Sequence, residues 1–329
     1  MKVLVTGGAG YIGSHTIREL VRTGKHEVVA VDNLSKGHAA AVTSGATLEQ
    51  GDIRDSGFIE GVFARHKPDA VMHFSASIVV PDSVRDPLSY FDNNVCGTVT
   101  LLRTMVKHNC KYFIFSSTAA LFANPKTIPI PSDEERIPMS PYGDTKLVVE
   151  NILKWSEDAY GVKHVCLRYF NACGADEHGD IGEDHEPETH LIPIILQVPL
   201  GKRQHVKIFG TDYPTDDGTA VRDYVHVTDL ATAHIKALDF MVTKNRSGRF
   251  NLGSGKGYSV REIVEAARRV TGHPIPAVEE ARREGDPAIL IASSKDAEEQ
   301  LGWTRRFDSV EKILETAWRF HQKHPTGMH

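Results

Sequence analysis

VTGGAGYIGSH (residues 5–15) overlaps a short β-branched run, KVLVT (2–6), and leads into an amphipathic stretch at 12–23. Gly7, Gly10 and Gly13 stand in a G-x-x-G-x-x-G spacing, with Tyr11 and Ile12 between the last two. Glycines at such positions allow a tight turn, close backbone approach to a pyrophosphate and close packing of the following helix. The helix N-terminus then offers free N–H groups and the positive end of its dipole to the phosphates. A glycine motif alone is weak, but this one sits between a strand and a helix. The next strand-like run, EVVAVD (27–32), ends in Asp32, 19 residues past Gly13. An acid about there hydrogen-bonds an adenosine ribose and repels the extra phosphate of NADP, so NAD is the expected cofactor. Asn33 follows directly, and GDIRD places Asp52 and Ile53 at the end of a third strand, where an adenine can rest.

Outward from this loop the pattern repeats. Strand candidates are TLEQGD (47–52), AVMHF (70–74), YFIFSS (112–117) and HVCLRYF (164–170), with amphipathic segments at 55–66, 87–108 and 142–160 between them. Strand and helix alternating this way predict an α/β fold, a doubly wound parallel sheet covered on both faces. After about residue 172 the rhythm breaks into an acidic, Gly- and His-rich loop, an apolar helix at 191–200, turn-rich stretches, and helices at 259–271 and 308–322. A chain of 329 residues exceeds what one core comfortably fills. The expected division is a Rossmann-like NAD-binding domain over 1–172 and a smaller substrate lobe over 173–329, some of whose strands can return to the large sheet.

Composition excludes several classes. The chain is 40% hydrophobic and 25% charged with net charge −5, and it has no basic tract, so no nucleic-acid partner is expected. Four cysteines form no C-x-x-C pair and read as thiols in a reducing compartment. No apolar run approaches the roughly 20 residues that span a bilayer. KVLVT follows Met1 at once, with no signal peptide before it. The expectation is a cytoplasmic protein with no membrane partner.

SPYGDTK (140–146) places Tyr142 four residues before Lys146 on one helix face. A free tyrosine is only about 0.1% phenolate at pH 7, and bringing it near neutrality needs roughly three units, or ~4 kcal/mol. An ammonium one turn away and a cationic nicotinamide ring can supply that. With the glycine loop and SST (116–118), the pair resembles the extended short-chain dehydrogenase/reductase family. VDNLS, YFDNNVCGT, LRYFNACGA, FGTDYPTDDGTAVRDYVHVTDLA, FNLGSGKG and RREGDPA extend the resemblance over nearly the whole chain, to the family's UDP-glucose 4-epimerase branch.

The resemblance implies NAD-dependent interconversion of UDP-glucose and UDP-galactose through a transient 4-keto sugar, by a homodimer. Tyr142 would be the base, Lys146 would tune it and hold the nicotinamide ribose, and Thr118 would hydrogen-bond the same sugar oxygen. Phe74, Ser75, Asn93, Ser116, Tyr169 and Phe170 would line the cofactor. Asn171, His190, Leu191, Phe209, Arg222, Arg283 and Asp286 would hold the UDP-sugar, with the arginines suited to pyrophosphate and Phe209 to stacking on uracil. In the family a large aromatic about four residues past the GD aspartate blocks an N-acetyl arm. Leu290 stands there, which implies that N-acetylated sugars are at least partly accepted.

The family pattern is broken in three places. Ile78 replaces a lysine that lies near the cofactor phosphates in enterobacterial-type enzymes, Leu121-Phe122-Ala123 replaces VYG, and Thr189-His190 replaces a paired asparagine. EDHEPETH (183–190) places histidines among acids, but its spacing fits no common zinc pattern, and no metal is expected. Epimerases of other UDP-sugars (N-acetylglucosamine, glucuronate or pentose) remain open. Dehydratases and decarboxylases carry acid groups immediately after the threonine, where this chain has Ala119 and Ala120. A non-catalytic NAD sensor would typically lose the tyrosine or the lysine, and both are kept.

Overall fold

The computed structural model describes residues 1–122, 125–283 and 286–328. The strands are β1 (Lys2–Thr6), β2 (Glu27–Asp32), β3 (Ala46–Gln50), β4 (Ala70–His73), β5 (Tyr112–Thr118), β6 (Lys163–Tyr169), β7 (Asn171–Cys173), β8 (Val206–Phe209), β9 (Val221–Arg222), β10 (Tyr224–His226), β11 (Gly248–Leu252), β12 (Tyr258–Ser259), β13 (Ala277–Glu280) and β14 (Ile289–Leu290). The helices are α1 (Tyr11–Arg22), α2 (Ser56–His66), α3 (Val80–Arg85), α4 (Pro87–Phe91), α5 (Gly97–Lys107), α6 (Pro141–Tyr160), α7 (Leu191–Leu196), α8 (Val227–Lys244), α9 (Val260–Thr271), α10 (Lys295–Leu301) and α11 (Val310–Lys323).

Seven strands form one sheet in the order β11-β6-β5-β4-β1-β2-β3, every pair parallel. Alternation along each strand feeds two cores. Val3 and Val5 face a cluster with Ile17 and Leu20 of α1, Leu230 and Leu238 of α8, and Trp303. Leu4, between them, faces Ile59 and Phe63 of α2, Leu101 of α5 and Val149 of α6. Period-two side chains buried on both faces are what a doubly wound sheet requires. A third core gathers α7, α9 and α11 away from the sheet around Ile195, Ile263 and Leu314.

Several segments differ from the sequence expectation. The run expected over 87–108 is not one regular helix. It comprises α4, a π-helical segment at Asp92–Cys96 and α5, with α3 added ahead of it. The apolar helix expected over 191–200 ends at Leu196. The strand expected over 47–52 stops at Gln50, which leaves Asp52 and Ile53 in the loop beyond. Two further elements shape the sheet, one that the reading above did not name and one of the second-half strands it allowed to return to the sheet. The long helix α8 packs against α1, and β11 joins the sheet beside β6.

Local chemistry fixes the elements nearest the site. Ser140 caps α6 by accepting from the Gly143 N–H (3.2 Å), and Pro141 follows, where a missing N–H does no harm. Gly143 also lets α6 come close to the end of β5, since a Cβ there would lie 2.7 Å from the Ala120 carbonyl oxygen.

Candidate active site

The site lies along the carboxyl ends of the parallel strands, where open α/β sheets bind ligands. At the end of β1 the chain turns through Gly7 at φ +69°, a conformation that side chains other than glycine rarely adopt. A Cβ on Gly13 would fall 2.1 Å from the Gly7 carbonyl oxygen, so only glycine lets α1 start this close to the turn. Helix α1 begins at Tyr11, after Gly10 at the N-cap, which supplies no side-chain cap. Among the described residues, the N–H groups of Tyr11 and Ile12 find no acceptor in the chain. Those donors at a helix N-terminus fit a pyrophosphate.

Asp32 is buried at the end of β2, and its two carboxylate oxygens accept from the N–H groups of Ala9 (3.0 Å) and Leu34 (2.8 Å). Each oxygen keeps a lone pair for a ribose hydroxyl. Asn33, directly after β2, donates to Asp52 in the loop beyond β3 (3.0 Å). Arg54 clamps the same carboxylate at 2.8 Å and holds its pKa well below the usual range. Ile53 is buried beside them. Phe74 and Ser75 follow β4 and close over Gly7. Asn93, in the π-helical segment, donates to the Ser77 hydroxyl (3.2 Å). Its neighbour Asn94 is buried and ties Ser77 to Thr145 of α6. Ile78 points outward and is exposed. The donor set at α1 and Asp32 thus fits NAD.

The chemistry-bearing residues converge on β5, β6 and α6. Lys146 is buried, and its ammonium donates to the Ser116 carbonyl (3.0 Å) and lies 5.8 Å from the centre of the Tyr142 ring. Among the described residues no carboxylate pairs with it. Burial alone pushes Lys146 down to about 7. Burial pushes the Tyr142 phenol up, and a hydrogen bond with Thr118 pulls against it. The phenol shift therefore runs opposite to the direction a catalytic base needs. Ser116 and Tyr169 share a short hydroxyl–hydroxyl contact, and Thr118 accepts from the Ala120 N–H (3.0 Å).

Residues of the second half meet these at a small apolar cluster of Leu121, Phe122 and Ile130, against which Phe170 and Leu290 both pack. Ala123 lies outside the described residues. Leu290 of β14 pairs in register with Arg222 of β9. The Arg222 guanidinium binds Asp286 (2.5 Å) and the Pro287 carbonyl (2.7 Å), so these two expected anchors hold each other. Arg283 lies over the Phe209 ring at 4.2 Å. Asn171 donates its side-chain amide to the Asp223 carbonyl (2.8 Å). Leu191 opens α7, and His190, just before it, contacts Glu183 (2.8 Å) and Glu188 (3.0 Å).

Sequence reasoning missed Glu150, one turn past Lys146 on the same buried face. It accepts from Ser117 (2.7 Å), from Arg168 (2.8 and 2.6 Å) and from Arg136 (3.0 Å). Burial pushes its pKa up, but its partners Arg168, Ser117 and Arg136 together hold it below the usual carboxylate range. A carboxylate amid LVVENIL on a buried helix face was the available signal. The network bolts α6 to the strands that carry Ser116, Thr118 and Tyr169. Glu150→Gln leaves Arg168 with an unmatched buried charge and is expected to destabilise the fold by roughly 3–5 kcal/mol in urea melts. A loss under about 1 kcal/mol would show that the network bears little on the fold.

Residues 3–253 match the model of the NAD dependent epimerase/dehydratase family. The UDP-glucose 4-epimerase of Halalkalibacterium halodurans is 53% identical over 327 residues, covering 99% of this chain and 97% of that protein. A crystal structure of a UDP-glucose 4-epimerase is similar with a TM-score of 0.98 at 48% identity, covering 100% of both chains. The UDP-glucose 4-epimerase of Bifidobacterium longum, solved in complex with NAD+ and UDP, is similar with a TM-score of 0.94 at 38% identity, again over 100% of both chains.

Proposed function

Because this chain belongs to the NAD dependent epimerase/dehydratase family, we infer that it interconverts UDP-glucose and UDP-galactose through a transient 4-keto sugar. The observation that carries the reading is the convergence of Tyr142, Lys146 and Thr118 at the end of β5 and the start of α6, on the same edge of the parallel sheet as the uncapped glycine loop. Full-length identity of 53% with the H. halodurans UDP-glucose 4-epimerase supports it.

Gly7, Gly10, Tyr11, Ile12 and Gly13 cradle the pyrophosphate of NAD, and Asp32 holds its adenosine ribose. NAD, when bound, would supply a hydride acceptor and then donor for carbon 4 of the sugar. Tyr142 removes the proton from the 4-hydroxyl and later gives it back. Thr118 hydrogen-bonds the same sugar oxygen and Lys146 supplies positive charge beside the phenol. Arg222, Arg283 and Phe209 grip the nucleotide, so the flat ketose can turn over without leaving. Ala119 and Ala120 offer no acid or base to expel water, which disfavours a dehydratase.

The test is UDP-glucose deuterated at carbon 4. The expected product has unchanged mass, inverted configuration and the label still on carbon 4. A product lighter by one water, with deuterium at carbon 6, would sink this reading.

N-acetylated substrates follow from Leu290. Its side chain packs against the Leu121, Phe122 and Ile130 cluster and is smaller than an aromatic ring. UDP-N-acetylglucosamine is expected to turn over measurably. Good conversion of UDP-glucose with none of the N-acetyl form would refute that role for Leu290.

Two further parts of the reading concern the protein's setting. Val84, Leu88 and Trp155 are exposed on the mutually packed α3, α4 and α6, which supports a homodimer. Among the described residues no helix is long and apolar enough to cross a membrane, and buried free thiols at Cys110, Cys166 and Cys173 favour the cytoplasm.

A further inference from the structure

The loop between β7 and α7 carries GEDHEPETH (182–190), a run from which only His190 was expected to meet the substrate. Folding brings one donor atom from each of Glu183, His185, Glu188 and His190 to within 4.8 Å of one another. His190 Nδ1 lies 2.8 Å from Glu183 Oε1 and 3.0 Å from Glu188 Oε1. His185 Nδ1 lies 3.4 Å from Glu183 Oε1 and 3.8 Å from Glu188 Oε2. Four donors around a tetrahedral zinc at about 2.0–2.1 Å stand roughly 3.3–3.4 Å apart. The observed separations straddle that value.

The surroundings point the same way. Both carboxylates are buried, with side-chain exposures of 6% and 5%. His185 Nδ1 is buried, has no hydrogen-bond partner and is directed at both of them. A protonated His190 bridging the two glutamates would satisfy His190 but leave that nitrogen orphaned. A cation placed between the four groups satisfies all of them.

We propose that Glu183, His185, Glu188 and His190 form a closed site for a divalent transition metal, zinc by ligand type and geometry. Four protein ligands leave no open position, so the ion is structural and takes no part in turnover. Its place gives it something to brace. Lys36 donates to the Glu186 carbonyl (2.9 Å), and His38 contacts Asp184 (3.2 Å). The Tyr11 ring meets His185 edge-on at 6.3 Å. The ion would join the glycine loop and the loop after β2 to the segment that enters α7. The run E-x-H-x-x-E-x-H matched no familiar pattern because a cluster within eight residues must reverse direction to converge, and sequence spacing does not show that reversal.

The test uses the full chain, stripped with a chelator and titrated with zinc chloride by calorimetry. Cobalt(II) in parallel reads the geometry through its visible absorption. The expected result is one ion per chain, a tetrahedral cobalt spectrum and a melting temperature that rises with zinc and falls again with chelator. His185→Ala should weaken binding by at least ~100-fold, since even residues behind the ligands typically change affinity 10–100-fold. His185→Ala with Glu188→Gln should abolish it. His185→Gln serves as a second variant if the alanine fails to match the chelated wild type in circular dichroism. No stoichiometric binding at micromolar zinc, or equal binding by wild type and the double variant, would overturn the proposal.

Discussion

Replacing Tyr142 by phenylalanine is expected to lower turnover by roughly 10²–10⁴-fold, the range for one acid–base group. UDP-sugar affinity should barely move. In the proposed reading the phenol faces the reacting carbon, whereas the residues assigned to the nucleotide, Arg222, Arg283 and Phe209, lie in the other half of the chain, Arg222 held by Asp286 and Arg283 over the Phe209 ring. Burial keeps the Tyr142 hydroxyl protonated at neutral pH, with only Thr118 pulling the other way. Positive charge has to arrive before it can act as a base. In the proposed reading Lys146 would provide one charge and the bound nicotinamide the other. Steady-state kinetics with UDP-glucose and a separate binding titration separate turnover from affinity. Turnover within about threefold of wild type would remove Tyr142 from the reaction.

Lys146→Met is expected to split function from stability. Turnover should fall by at least roughly 10²-fold, because the phenol loses its nearest cation. The cofactor-free chain should become more stable by roughly 2–4 kcal/mol near pH 7, because the lysine is buried without a carboxylate partner. The sign follows from its depressed pKa of about 7. Above the unfolded value of about 10.5 the lysine is neutral in both states and carries no penalty. As pH falls from there toward 7, the unfolded chain takes up a proton that the folded chain refuses, and the wild type loses stability. Below 7 the penalty is complete. The advantage of methionine should therefore shrink as pH rises from 7 toward 10.5. Urea melts of stripped protein across that range measure it. A variant no more stable than wild type at pH 7 would show that the buried ammonium finds more compensation than the Ser116 carbonyl gives.

What was legible in the sequence was local. The glycine loop, Asp32 and the Tyr142–Lys146 spacing each lie within one turn or one strand end, so short-range pattern sufficed. Helix α8 was harder because it is buried over most of its circumference, from Val227 through Ala237 to Met241. A helix wrapped by its neighbours loses the one-sided stripe that marks a surface helix. Strand β11 reads GRFNL, with glycine, arginine and asparagine in five residues. Nothing in it announces a strand, and its state is set by pairing with β6. The π-helical turn at Asp92–Cys96 left no periodic trace, though it orients Asn93 and Asn94. Of the candidate site, Glu150 and the Arg222–Asp286 pair needed tertiary contacts that spacing cannot encode.

The seventh strand also has a consequence for how the chain is made. β6 ends at Tyr169, but the strand that covers its open edge ends only at Leu252, 83 residues later. At about 5–20 residues per second, a ribosome needs roughly 4–17 s to supply it. Throughout that interval the nascent sheet presents β6, with its buried run of Val165, Cys166 and Leu167, as an unpaired edge. Slowing translation between 170 and 252 should therefore raise the insoluble fraction more than the same delay placed after 252. Release of a chain truncated before Gly248 should yield aggregate in place of a free-standing nucleotide-binding half.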